Sequence, residues 1–145
     1  MEYFTISELI KSDTAIERRI WNGASIEVEA NLRVLVEKVL DPLRKAYGKP
    51  IIVNSGYRCA SVNRLVGGVP NSQHLTGCAA DITTGSVEGN RELMRLVLAE
   101  GIEYDQMIDE ANYSWVHISY NEFYCRNQLL RMRNGKYYTL KKEEI

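Results

Sequence analysis

Two short segments constrain the fold of this chain more than any other feature: Ala79-Ala80-Asp81-Ile82-Thr83 and Trp115-Val116-His117-Ile118-Ser119. Both alternate with a period of two, the side-chain period of a β-strand. In the first, Ala80 and Ile82 turn to one side while Asp81 shares the other with Ala79 and Thr83. In the second, Val116 and Ile118 point to a core, and Trp115, His117 and Ser119 share the opposite face. Each strand therefore offers one apolar face for burial and carries one titratable side chain towards a cleft. A sheet covered by helices on one side satisfies both.

The helices that would cover it are legible. Ser25 opens the strongest, with Glu27 and Glu29 in its first turn and Leu32, Leu35 or Val36, Val39, Leu43 and Ala46 recurring at helical steps. Pro42 is expected to kink it and Gly48-Lys49-Pro50 to stop it. A short helix with Ile6, Leu9 and Ile10, capped by Thr5 or Ser7, is expected as an N-terminal flap; others are read over Ala60–Val66 and Arg91–Ala99. Strands are expected at Ile51–Val53, Tyr104–Asp109 and, around the Asn134-Gly135 turn, at Leu129–Met132 and Tyr137–Leu140. Gly67-Gly68-Val69-Pro70-Asn71 reads as a surface loop and Lys141–Glu144 as a solvated tail. Helices beside antiparallel hairpins define an α+β layer fold. At 145 residues one domain is expected over 1–145, and no internal repeat or linker divides it.

Eighteen basic against 19 acidic side chains leave a net charge of -1, with no basic stripe, so nucleic acid is not an expected partner. No apolar run approaches the roughly 20 residues of a membrane span, and Met1 to Arg18 lacks the apolar stretch of a signal peptide. Cys59, Cys78 and Cys125 are odd in number and in no CxxC spacing, which argues against a disulfide framework or a zinc ribbon while leaving one bridge open. Ser55 and Ser72 lack a histidine at a nucleophile-like spacing, which argues against a serine hydrolase. Nothing calls for a second copy, and a monomer is expected.

Only two histidines exist, His74 and His117. His74 sits on a glycine-punctuated loop seven positions before Asp81, and alternation lets Asp81 and His117 reach one cleft. Two imidazoles and a carboxylate match the three protein ligands of a catalytic zinc, with a fourth position for water. A base would be needed beside it. If a four-residue loop joins the last two strands before the tail, Glu110 pairs with Trp115 and lies diagonal to His117, roughly 7 Å away. A one-residue change of register would bring Asp109 there instead.

Ser55-Gly56-Tyr57-Arg58, Asn63, Gly67-Gly68, Ser72-Gln73-His74-Leu75-Thr76-Gly77-Cys78-Ala79-Ala80-Asp81, Asp105-Gln106 with Glu110, and Trp115-Val116-His117 occur in one order over about residues 4–120. This set resembles peptidase family M15, the zinc D-Ala-D-Ala carboxypeptidases and related peptidoglycan peptidases, nearest its M15A branch of phage and prophage proteins. The resemblance implies the α+β fold shared with the Hedgehog signalling domain, one Zn2+ held by His74, Asp81 and His117, and hydrolysis of peptidoglycan stem peptides or cross-links. It favours Glu110 as the base and gives Arg58 a role in binding a substrate carboxylate or stabilising the oxyanion. Ser72 and Gln73 would contact substrate or orient the metal ligands, and Trp115 would wall the cleft. Positions 114 and 115 are Ser and Trp where other members often place an acid or a second histidine. The Hedgehog kinship supplies the alternative of a zinc-stabilised module that binds peptide or cell wall without cutting it. With no leader read, the resemblance implies a protein made in the cytoplasm that acts on the wall after release or delivery.

Overall fold

The computed structural model describes residues 1–145 as an α+β fold, a six-stranded sheet with helices packed on one side. The strands are β1 (Ile52–Ser55), β2 (Ala79–Thr83), β3 (Gln106–Glu110), β4 (Trp115–Ser119), β5 (Gln128–Arg133) and β6 (Lys136–Thr139). Their order across the sheet is β1-β2-β4-β3-β5-β6; β3 and β5 run parallel, and every other neighbouring pair is antiparallel. Ala80, Ile82, Val116 and Ile118 are buried on the covered face, as the alternation requires.

Helix α1 (Ile6–Ile10) is capped by Thr5 and buries Leu9 completely, so the N-terminal segment is a brace and not a flap. Helix α2 (Asp13–Arg18) carries too little apolar periodicity to be read in advance; it begins at Ser12, whose hydroxyl accepts from the Ala15 amide. Helix α3 (Ile26–Leu35) starts on the Ser25 cap and leads into a π-helical turn at Val36–Leu40 and then α4 (Asp41–Tyr47). Pro42 does not interrupt this run. The wider turn before it, closed by the Asp41 amide on the Val36 carbonyl, takes up the misfit of a residue that cannot donate. Leu32, Leu35, Val36, Val39, Leu40 and Leu43 are all buried, and a side chain of that kind contributes roughly 1.5–3 kcal/mol when fully withdrawn from water.

Helix α5 (Ala60–Leu65) follows the expected position, while α6 (Val87–Ala99) begins four residues earlier than its apolar pattern suggests. Ser86 caps it by accepting from the Gly89 amide. The C-terminal hairpin is built into the sheet: β5 lies against β3, Leu140 and Ile145 are buried, and Arg95 Nε donates to the Ile145 carbonyl. Residues 141–144 are exposed. No helix is long and apolar enough to cross a membrane.

Candidate metal centre and cleft

The sheet register builds the site. Ser55, Asp81, His117, Ile108, Leu130 and Thr139 form one row across the open face, and Trp115, Glu110, Met132 and Tyr137 form a second row two residues further along. Asp81 and His117 are direct cross-strand partners. His74 reaches them from a 3-10 turn at Gln73–Thr76 that ends on Gly77 in the left-handed region.

Asp81 Oδ1 lies 3.3 Å from His74 Nε2 and 3.0 Å from His117 Nδ1, and the three donor atoms fall within 4.8 Å of one another. Donors 2.0–2.1 Å from a tetrahedral zinc sit about 3.3 Å apart, so the two Asp81 separations already approximate the edge of such a site. Nitrogen and carboxylate donors without thiolate suit zinc. The tautomer of His74 is set from behind: its Nδ1 donates to the Gly56 carbonyl at 2.6 Å, leaving Nε2 for the metal. Burial opposes the charge on Asp81, but the His117 hydrogen bond and the two facing imidazoles outweigh it and hold the carboxyl well below the usual carboxylate range.

Gly56 belongs to the turn that places both His74 and Arg58. The Tyr57 amide donates to the Leu9 carbonyl at 2.8 Å and the Arg58 amide to the His74 carbonyl at 3.0 Å. Asn22 ties the same turn down, with its side chain bonded to the carbonyls of Ile10 and Tyr57 and the amide of Cys59. A Cβ on Gly56 would collide with the Leu9 carbonyl oxygen, a backbone atom with no room to move. Gly56→Ala is therefore expected to displace the support of His74, weakening zinc affinity by about 10- to 100-fold, the range for lost support of a ligating histidine. Competition with a chromogenic chelator measures it; unchanged affinity would show that the Gly56 carbonyl does not set the ring.

The register of β3 and β4 is that of the four-residue loop, pairing Glu110 with Trp115 and leaving Asp109 on the covered face. Asp109 is completely buried and accepts from the Tyr113 amide (2.7 Å), Arg131 Nε (3.0 Å) and Arg133 Nη2 (2.7 Å), which leaves it no access to the cleft. The loop holds Ala111, Asn112 and Tyr113 at φ of 47°, 60° and 58°. Left-handed backbone at non-glycine residues costs roughly 1–2 kcal/mol each, so the turn depends on its anchors. Those are Asp109 and the buried Asn90, whose Nδ2 donates to the Tyr113 carbonyl at 2.8 Å.

On the open face, Gln106, Ile108 and Glu110 of β3, with His117 of β4 and Tyr137 of β6, line a cleft of about 320 Å³. Val69, Asn71, Ser72, Gln73 and Arg126 close it from the loops. Burial raises the Glu110 carboxyl above its ordinary value, reinforced by the charges of Asp81 and Asp109 and opposed by His117 and Arg133. Arg58 is pulled down by burial and up by Asp81; its Nη2 reaches the Ser72 hydroxyl at 3.3 Å, while its buried Nε has no partner. Ser72 also caps the His74 turn. Gln73 is committed elsewhere, donating through Nε2 to Asp105 Oδ2 at 2.9 Å. Trp115 stands beside Glu110 in the sheet, outside the cleft lining, and Tyr137 and Arg126 appear there unforeseen. The Asn134-Gly135 turn signalled a hairpin, but which strand it would join is a long-range choice with no local signal.

Asp81 and His117 on the open face of the sheet, joined by His74 from the 3-10 turn and sharing their cleft with a half-buried carboxylate, form a cluster able to hold one metal ion, the class of site that metallopeptidases use. A family model described as Peptidase M15 matches residues 2–119, and the chain belongs to that family. Over 87 residues it is 39% identical to the zinc D-Ala-D-Ala carboxypeptidase of Streptomyces albus G, a match that takes in 57% of this chain and 32% of that protein. The chain thus spans about a third of the length of that relative.

Proposed function

We propose that the protein is a zinc-dependent peptidase that hydrolyses peptidoglycan stem peptides or their cross-links. The observation that carries this reading is the convergence of His74, Asp81 and His117 within 4.8 Å, with His117 and Glu110 lining the same cleft. Zinc, when bound, lowers the pKa of a coordinated water and polarises the substrate carbonyl. Glu110 is the general base: its carboxylate takes a proton from the attacking water and returns it to the leaving amine. Its raised pKa suits both halves of that exchange. The guanidinium N–H groups of Arg58 not engaged by Ser72 stabilise negative charge developing on the carbonyl oxygen or bind a substrate carboxylate. Ser72 holds both Arg58 and the His74 turn, and Gln73 acts through Asp105 in shaping the loop. The relative's name points to D-Ala-D-Ala ends as the bond to try first. This reading places the protein's action in the cell wall.

Incubation of the zinc-loaded protein with purified sacculi and soluble muropeptides is expected to release new products by chromatography. They should vanish with a chelator and in His74→Ala, and return on adding zinc to the wild type. Absence of any product from zinc-loaded protein that still sediments with sacculi would replace this reading with that of a binding module.

A further inference from the structure

Arg126 lies in the loop between β4 and β5, beyond the residues shared with the family model, and lines the cleft at the end occupied by Gln106. Its guanidinium is held edge-on. Nε donates to Asp105 Oδ1 at 2.8 Å and Nη2 to Asp105 Oδ2 at 2.7 Å, while the Arg126 amide also donates to Oδ1 at 2.9 Å. Asp105 is itself buried and takes a further bond from Gln73, and Arg126 holds its carboxyl down at about 2. The side edge of the fork is therefore spent on a fixed partner. The outer edge, Nη1 with the second Nη2 hydrogen, has no acceptor in the chain, and the side chain is 44% exposed.

Position adds direction. Gln106 and Glu110 are four residues apart on β3, roughly 13 Å at strand rise, and the His117 row crosses at Ile108, midway between them. An anion is repelled at the Glu110 end and meets an oriented cation at the other, where Gln106 stands two residues along β3 from the His117 row. An outer guanidinium edge matches the two oxygens of a carboxylate, and a side chain locked by its neighbours loses little freedom on binding.

We propose that Arg126 is a specificity residue that binds a carboxylate of the peptide substrate through its outer edge, placing the acidic end of the peptide over Gln106. The proposal rests on the peptidase reading for the identity of its ligand as a stem peptide. The carboxylate is either the peptide's C-terminal group or an acidic side chain next to the cut; the chemistry recognised is the same.

The test uses a synthetic stem peptide with one side-chain carboxylate and a free C-terminus, and the same peptide amidated at either group. Turnover of each is followed with the zinc-loaded full chain, and affinity is measured by calorimetry on analogues whose terminal amide is reduced to a methyleneamine, which cannot be hydrolysed. Amidating the recognised carboxylate is expected to weaken affinity roughly 10- to 100-fold, the usual worth of a charged hydrogen-bonded contact. Amidating the other group should change it little, which identifies the source. Arg126→Lys, which keeps a cation beside Asp105, and the neutral pair Asp105→Asn with Arg126→Gln should lose the same factor on the free acid and nothing on the recognised amide. Equal affinity of wild type for all three peptides, or an equal loss on acid and amide in both variants, overturns the proposal. No turnover of any peptide, with the affinity pattern intact, removes the peptidase reading and leaves Arg126 as a carboxylate site.

Discussion

Asp81→Ala is expected to lose stoichiometric zinc and, with it, all hydrolysis above background. Asp81 supplies the one anionic donor of the cluster, and its Oδ1 is the atom both imidazoles approach. Without it, two neutral nitrogens remain. Removing outer support of a ligating histidine costs about 10- to 100-fold in affinity, and removing the charged ligand itself should exceed that range. Thermal stability gives a second reading. Zinc binds only the folded site, so free zinc at 100 times its dissociation constant stabilises wild type by about 2.7 kcal/mol. A chelator should lower the wild-type midpoint and leave Asp81→Ala unmoved. Metal analysis of the purified variant decides the matter: one zinc per chain in Asp81→Ala would mean that the ion sits elsewhere, and the cluster would be only a hydrogen-bonded trio.

Much of this site was open to reading because its information is local. Alternation alone placed Asp81 and His117 on the same face as each other and Ile82 and Val116 on the opposite one, since one residue of slip would bury the charge. The capping serine at Ser25 and the Gly48 stop fixed the long helical run in the same way. What escaped is what depends on distant partners. The strand register, and with it the choice of Glu110 over Asp109, stays open in the sequence until Arg131 and Arg133 arrive from β5 and bury Asp109. Arg126 became part of the cleft only because Asp105, twenty-one residues earlier, turns its fork. The N-terminal segment reads in sequence as a flap, yet its Leu9 carbonyl holds the turn that aims His74 and Arg58. Such pairings across the sheet and between loops leave no periodic trace.

Glu110→Gln separates catalysis from metal binding. Gln has the shape of Glu but cannot take up the proton, so kcat is expected to fall about 10²- to 10⁴-fold while zinc content stays at wild-type level. The pH profile carries the stronger test. Burial raises the Glu110 carboxyl, and the base works only when deprotonated, so wild-type kcat/KM should decline as pH falls through a value above the ordinary 4.3 or so of glutamate. That acidic limb should be absent from the residual activity of Glu110→Gln. Stability should move the other way. A carboxyl whose pKa is higher folded than unfolded favours the native state most at low pH and loses that contribution as pH rises through the folded value. At neutral pH the ionised Glu110 is therefore a burden on the fold, and Glu110→Gln should melt at or above the wild-type temperature while turning over far less. Loss of zinc from the variant would make Glu110 a support of the metal site, and an acidic limb that survives the substitution would assign the proton transfer to another group.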